Sequence, residues 1–301
     1  MFAGIDLGTT YTKTHSGIIF KSGISDKYID MASNVMTIGN SSYAMELFNE
    51  RAEYGININK SLNINTRLNY IYALYKMAED YTEYESVIVG LPASQWKLSN
   101  IVENYKQFLN LNELIDVEVN GITKKIKVNG LNIVPEGSTA YYAMDYQKFE
   151  GRKTLLLDWG GLTLNQILFI NNEIVDVDTF EDGVLKIYQE MISDINTQIS
   201  GSNVCIEDMF EILTKGYYFK GYEMDIKPII DKIAFSYCER VYKKLKLKWG
   251  VDSIKNIPLV GAGSITMEKY IKAFLPQSEL QDNAQILAAK GMEYIARSCL
   301  V

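Results

Sequence analysis

Two segments about half a chain apart share one pattern. Gly4-Ile5-Asp6-Leu7-Gly8-Thr9-Thr10 and Leu155-Leu156-Leu157-Asp158-Trp159-Gly160-Gly161-Leu162-Thr163 each run from an apolar β-type stretch into an aspartate, one spacer, a glycine and soon a hydroxyl residue. An aspartate leaving a buried strand sets a carboxylate at the rim of a sheet. A glycine just behind it lets the backbone turn and bring its N–H groups to an anion. Two such endings facing each other across a cleft clamp a polyphosphate and its metal from both sides. The pair therefore directs the chain toward a duplicated fold and toward nucleotide chemistry.

The remaining pattern repeats in the same sense. The first half opens with a strand to Leu7, a tight turn and a second strand around Tyr11–Phe20, with further short strands and turns to about residue 60. Thr66–Asp80 carries Leu68, Ile71, Tyr75 and Ala78 at a helical period. Ser86-Val87-Ile88-Val89-Gly90-Leu91 reads as a buried strand stopped by Pro92, and Ser94–Asn110 as a helix. Asn120-Gly121 between alternating apolar residues is a hairpin signal. Leu131–Val134 is a strand meeting Pro135, and a short helix follows over about Gly137–Gln147.

The second half starts alike, with strand Thr154–Asp158, a glycine turn, strand Thr163–Ile170, an Asn171-Asn172 turn and strand Glu173–Phe180. Helical patterns lie near Val184–Ile199 and Asp225–Leu247. Ile257-Pro258-Leu259-Val260 is a strand ending in Gly261-Ala262-Gly263-Ser264, and a last helix covers about Asp282–Arg297. The order β-β-…-α-β-α thus occurs twice. The fold class is α/β, two like domains with a nucleotide cleft between them where mostly parallel strands present their carboxyl ends. Glu150–Lys153 is the expected crossing point.

A chain of 301 residues suits two domains. Its net charge of −7 argues against a direct nucleic-acid surface, which needs concentrated Lys and Arg. The one basic run, Lys243-Lys244-Leu245-Lys246-Leu247-Lys248, reads as a solvated helix end, with a partner-binding patch as the alternative. No apolar stretch has the roughly 18 residues that span a bilayer, and the first strand leaves no room for a leader or membrane anchor. Cys205, Cys238 and Cys299 are odd in number and lack C-x-x-C spacing, so neither a disulfide framework nor a zinc site is indicated. A reducing cytoplasm is the expected location, with no membrane partner. His15 is the only histidine, which removes Ser-His-Asp and multi-histidine metal mechanisms, and it reads as a structural hairpin residue. Tyr217-Tyr218-Phe219, near Gly216 and Gly221, reads as core or subunit contact, with a base-stacking platform as the alternative.

Asp6 and Asp158 suit Mg²⁺ held chiefly through water, because that ion prefers octahedral oxygen and keeps most of its shell. Either aspartate alone is as readily a turn cap; the matched contexts favour the metal. Gly8, Thr9 and Thr10 have the N–H and hydroxyl donors for β- and γ-phosphates, and Gly160, Gly161 and Thr163 have them for the opposite side. Lys13 either folds back to neutralise phosphate charge or is an exposed hairpin lysine.

In chain order, Gly4–Lys13, Pro135-Glu136-Gly137, Leu157–Thr163 and Leu259–Ser264 resemble the first phosphate, first connecting, second phosphate and adenosine motifs of the actin, Hsp70 and sugar-kinase superfamily, whose domains are ribonuclease H-like. Val89-Gly90-Leu91-Pro92 before a helix, the Asn120-Gly121 hairpin and Pro-Glu-Gly resemble the bacterial and archaeal actin-like proteins of the ParM type, which segregate plasmids. The resemblance spans nearly the whole chain. It implies one domain of residues 1–149 with 278–301 and a second of 150–277.

It also implies ATP or ADP as ligand, with Asp6 and Asp158 at the metal and Glu136 positioning and polarising the attacking water. A carboxylate that orients water in line with the γ-phosphate suffices for such chemistry, since phosphoryl transfer needs little covalent help. Without the other motifs, Glu136 is a first-turn acid favoured by a helix dipole. Gly261 and Gly263 match the turn that packs on adenosine, and Asn283, Ala284 and Gly291 fall in the second connecting helix. The chain departs from the family at Trp159 in the spacer, at Leu162 for the first threonine and at Asn165 where a late aspartate is expected.

Three functions are compatible with that resemblance. The first is an ATPase that polymerises head-to-tail into filaments and segregates plasmid or phage DNA through a small basic DNA-binding adaptor. The second is a small-molecule kinase, for which no second carboxylate base is evident. The third is a non-polymerising scaffold. The compact length and acidic charge favour the first.

Overall fold

The computed structural model describes residues 1–301 apart from 28, 48–61, 150–151, 216–217, 220–221, 224–225 and 299–301. The readings that touch Glu150, Gly216, Tyr217, Gly221, Cys299 and the stretch before residue 60 lie, to that extent, outside the described residues. The chain forms two compact units, Met1–Lys148 with Gln285–Val301, and Phe149–Ala284.

The first unit opens with β1 (Phe2–Leu7), β2 (Tyr11–Thr14), β3 (Ile19–Lys21), β4 (Gly23–Ser25), β5 (Asn34–Ile38) and β6 (Ser41–Leu47). Next come α1 (Ile64–Met77), β7 (Tyr81–Tyr84), β8 (Ser86–Leu91), α2 (Ala93–Trp96) and α3 (Ser99–Leu109). It continues with β9 (Ile115–Val119), β10 (Ile122–Val128), β11 (Leu131–Pro135) and α4 (Ala140–Ala143). The second unit holds β12 (Thr154–Trp159), β13 (Leu164–Ile170), β14 (Glu173–Phe180), α5 (Val184–Gln198) and α6 (Ile206–Lys215). After it come β15 (Tyr218–Phe219), β16 (Tyr222–Glu223), α7 (Lys227–Trp249), β17 (Ile257–Val260), α8 (Ala262–Lys272) and β18 (Ser278–Leu280). Helix α9 (Leu287–Ser298) belongs again to the first.

The duplication is literal in the sheets. One has the order β11-β8-β1-β2-β3 and the other β14-β13-β12-β17-β18. In each, three leading strands form an antiparallel meander and the first of them pairs in parallel with a later strand. The first unit has a further sheet, β4-β6-β5-β9-β10-β7. Each unit also has its own apolar core.

Side-chain alternation explains how the central strands bury both faces. Every residue of β8 is buried, the mark of a strand covered on two sides. Val87 and Val89 join the core that α1 and α3 build, while Ile88 on the opposite face packs with Met292 and Ala296 of α9. The Asn-Gly hairpin joins β9 to β10 with φ of 49° at Asn120 and 82° at Gly121, the backbone a primed turn needs. Asn171 and Asn172, at φ 53° and 67°, turn β13 into β14 in the same way.

Several boundaries differ from the sequence reading. The strand expected over 11–20 is two, because the chain turns at 15–17 and the Thr14 N–H reaches the Ile18 carbonyl at 2.9 Å. The helix expected over 94–110 breaks at Leu98, which takes an extended backbone. The helix after Gly137 keeps one regular turn, α4, before a 3₁₀ turn at Tyr146–Phe149. The last helix starts at Leu287 and not near 282, since Asn283 sits in the left-handed region at φ 55°. Asn283 and Ala284 therefore precede the helix that was expected to contain them. The second unit runs on to Ala284, past the expected end at 277, because β18 pairs in parallel with β17. Among the described residues, no helix is long and apolar enough to cross a membrane.

Helix α9 is held by close approach. A Cβ on Gly291 would stand 1.8 Å from the carbonyl oxygen of Thr139. The Thr139 hydroxyl in turn donates to the Ala288 carbonyl at 2.7 Å. Backbone cannot yield as a flexible side-chain end does, so Gly291→Ala is expected to destabilise the protein by about 3 kcal/mol, read as a lowered denaturant midpoint.

Candidate functional site

The rim of the first unit is built by three parallel strands. Val89 of β8 is level with Ile5 of β1 and with Ile133 of β11, and Leu91 is level with Pro135. Asp6 and Glu136 consequently stand at the ends of the two strands that flank β8, on the same edge of one sheet. The Glu136 N–H donates to the Leu91 carbonyl at 2.8 Å, and its side chain is buried. Its Cγ lies 2.8 Å from where a Cβ on Gly90 would stand, so the glycine between them makes room for the carboxylate arm.

Asp6 and Lys13 are register partners across the β1–β2 pair. The Lys13 Nζ donates to Asp6 Oδ2 at 2.7 Å, with the two side chains only 12% and 18% exposed. The Lys13 side chain is folded back onto Asp6 and is not an exposed hairpin lysine; its ammonium lies 3.4 Å from where a Cβ on Gly8 would be. A charge pair this sheltered is held more firmly than a surface pair.

The turn at Gly8 is buttressed from behind. The Ser22 hydroxyl donates to the Gly8 carbonyl at 2.7 Å, lies 3.0 Å from the Thr12 hydroxyl, and the Asn69 amide donates to the Ser22 carbonyl at 2.8 Å. Thr9 and Gly8 line a small cavity together with Thr12, Ser22 and Asn69. The Thr10 Oγ1 is buried and has no hydrogen-bond partner among the described residues. Sequence reasoning missed Ser22 and Asn69, which are 14 and 61 residues from Gly8 and carry no local signal.

His15 fastens this hairpin. Its N–H donates to the Gly4 carbonyl at 3.0 Å, and its Nδ1 accepts from the Gly4 N–H at 3.3 Å, as the structural reading expects.

The second unit repeats the register with other residues. Asp158 stands opposite Asn165 as Asp6 stands opposite Lys13. Asn165 is buried, and its Oδ1 accepts from the Thr179 hydroxyl at 2.9 Å, which ties it to β14. Trp159, the unusual spacer, faces the other way into the core of its unit. Its indole N–H is shared between the Asp182 carbonyl at 3.1 Å and the Tyr237 hydroxyl at 3.0 Å. Its departure from the family pattern is thus a packing matter.

The Gly160–Thr163 loop is closed by a Gly160 N–H to Thr163 carbonyl bond of 2.9 Å. The carbonyls of Gly160, Gly161 and Leu162 receive the N–H groups of Val184, Leu185 and Gly183 at 3.1, 2.9 and 3.0 Å. The loop therefore rests on the start of α5. On the neighbouring strand end, Gly261 has φ 86°, and a Cβ there would stand 2.6 Å from both Asp158 Oδ1 and the Trp159 carbonyl. A Cβ on Gly263 would stand 2.7 Å from the same carbonyl. The structure brings Asp158 and Gly261 together, and the two glycines let α8 start against the end of β12.

Comparison with known proteins agrees with this architecture. Residues 4–138 match the family model described as the N-terminal domain of actin like proteins. The archaeal actin homologue Ta0583 in complex with ADP is similar at 16% identity, over 99% of both chains, with a TM-score of 0.80. A 15-stranded ParM filament from Clostridium botulinum is similar at 19% identity, over 99% of both chains, with a TM-score of 0.75. The Alp12 filament structure is similar at 18% identity, over 100% of this chain and 99% of that one, with a TM-score of 0.72. Curated protein sequences contain no match. The fold of this chain is the one that ParM, Alp12 and the archaeal homologue share.

Burial lowers the pKa of His15 below its ordinary value, against a smaller opposing effect of Glu293. The folded state then binds fewer protons than the unfolded chain as pH falls through about 6.5, so the stability held above that pH declines below it. The midpoint of thermal unfolding is expected to fall between pH 7.5 and 5.5, and less steeply in His15→Gln.

Proposed function

We propose that this protein is an ATPase whose nucleotide state controls its assembly into filaments of its own copies. The observation that carries the reading is in the first unit: Asp6, with Lys13 on it, and buried Glu136 stand at the ends of the two strands that flank β8 in one parallel set. The ADP complex of Ta0583 and the filament structures of ParM and Alp12 support it as relatives in fold.

In this reading ATP is the ligand of both rims. The turn of Gly8, Thr9 and Thr10 and the ammonium of Lys13 act on the β- and γ-phosphates, as do Gly160, Gly161 and Thr163, while Gly261 and Gly263 take the adenosine. Glu136 accepts a hydrogen bond from water and aims it at the γ-phosphorus, and the leaving ADP keeps the bridging oxygen. The carboxylates of Asp6 and Asp158 fit Mg²⁺ that retains its waters, as outer groups. When bound, Mg²⁺ offsets the negative charge of the β- and γ-phosphates.

The cargo in this reading is plasmid or phage DNA, reached through a small basic adaptor in the cytoplasm. The chain is acidic, with a net charge of −7. Its one basic run is spent internally: Lys243, Lys246 and Lys248 pair with Glu239, Asp252 and Asp178 at 2.7, 2.6 and 2.6 Å, and Lys244 pairs with Asp182. That favours the solvated-helix reading of the run over a DNA or partner patch.

Glu136→Gln is expected to bind ATP as the wild type does while turnover falls by about 10²-fold or more. Equal turnover in a phosphate-release assay removes Glu136 from the chemistry. Ultracentrifuge pelleting at tens of micromolar protein is expected with ATP and reduced with ADP; protein that stays in the supernatant in every nucleotide state refutes assembly.

A further inference from the structure

Behind the Gly8 turn the first unit has a cavity of about 20 Å³ with a largely polar lining. Thr12 comes from β2, Ser22 from between β3 and β4, and Asn65, Thr66 and Asn69 from α1. The hydroxyl protons of Thr12 and Ser22 are already committed. Ser22 donates its one proton to the Gly8 carbonyl at 2.7 Å. The 3.0 Å contact between the Thr12 and Ser22 hydroxyls is therefore donated by Thr12. The Asn69 amide nitrogen donates to the Ser22 carbonyl at 2.8 Å, which fixes which end of that amide is oxygen. Asn69 is only 5% exposed, and its Oδ1 has no hydrogen-bond partner among the described residues. A buried acceptor of this kind is costly to leave unfilled.

Charge and size decide what fills it. An anion is repelled by the lone pairs of Thr12, Ser22 and Asn69. A cation is opposed by the positive end of α1, whose first turn supplies Asn65 and Thr66. No carboxylate among the described residues lines the cavity to offset that end. A neutral molecule with two protons to give is water, and one water needs about 10–15 Å³ and two to four polar partners.

We propose that this cavity is a binding site for one water, which donates to Asn69 Oδ1 and to a hydroxyl oxygen of Thr12 or Ser22. It completes a relay from α1 through Asn69 and Ser22 to Gly8. The relay sets a direction. A peptide group is planar and trans, so the Gly8 carbonyl and the Thr9 N–H point opposite ways. With the carbonyl held by Ser22, the Thr9 N–H is aimed away from the cavity. Its action on a phosphate rests on the reading of Gly8, Thr9 and Thr10 as a phosphate turn; the water site does not.

The first test is a high-resolution crystal structure of the full chain without nucleotide, grown in rubidium chloride. One density peak is expected about 2.5–3.0 Å from Asn69 Oδ1, without anomalous rubidium signal. No peak, a rubidium peak, or a protein donor on Asn69 Oδ1 overturns the water site. In solution, Asn69→Leu and Ser22→Ala are each expected to weaken ATP binding by about five-fold or more. The double variant is expected to lose no more than the weaker-binding single variant, because residues that act through one another are not additive. Ser22→Ala removes one oxygen without overpacking, so the affinity comparison stands even where Asn69→Leu does not fold. Unchanged affinity in either folded variant, or additive losses, overturns the relay while wild-type ATP binding stands. A wild type that binds no ATP overturns the nucleotide reading, and the crystal density still decides the water site.

Discussion

The site depends on the register of one antiparallel strand pair. In β1–β2, Asp6 stands opposite Lys13, and Leu7 opposite Thr12. Side chains alternate across a strand, so this register sends Leu7 into the core while Asp6 stays at the rim under the lysine. A slip of one residue would bury the aspartate and expose the leucine. The turn that holds the register is braced by Ser22 and Asn69 behind Gly8 and by His15 on Gly4, so strand pairing, helix α1 and the Gly8 turn form one connected unit.

The same register recurs in β12–β13, and the comparison shows what duplication kept and what it released. Asp158 keeps the rim position of Asp6, and Trp159 keeps the core position of Leu7. The partner across the strand changes from a lysine to an amide. Lys13 brings a positive charge to its carboxylate, whereas Asn165 brings none and gives its oxygen to Thr179. The first rim is therefore electrostatically buffered, and the second leans on backbone geometry, with Gly261 close against the aspartate and the loop seated on α5. The asymmetry visible in the motifs has this physical content.

Buried polar groups divide the rest of the molecule by purpose. Trp159, Tyr237 and the Asp182 carbonyl satisfy one another, as do Trp249 with Gln166 and Tyr188 with Thr266, so these groups specify a packing arrangement. The hydroxyls of Tyr70 and Tyr105 have no hydrogen-bond partner among the described residues, in the core that also holds Leu7 and Leu91. Surface lysines form many ion pairs, as in the run after Lys243, but exposed pairs of this kind add about 0–1 kcal/mol each and serve mainly to neutralise the acidic surface.

Local features were legible in the sequence wherever the cause is local. Apolar runs ending in Asp-x-Gly, the Asn-Gly and Asn-Asn turns and the long helical periods read correctly because each is set by backbone sterics or side-chain period within a few residues. Those local signals, read together with the motif order, determined the duplicated α/β fold and the candidate residues Asp6, Glu136 and Asp158. Tertiary structure alone decided the rest. It turned Lys13 toward Asp6, put Trp159 in the core, tied Asn165 to Thr179, delayed α9 to Leu287 and brought Ser22 and Asn69 behind Gly8. These outcomes depend on contacts between residues far apart in sequence, where burial and hydrogen-bond supply are set by the packed neighbours and leave no period or spacing to read.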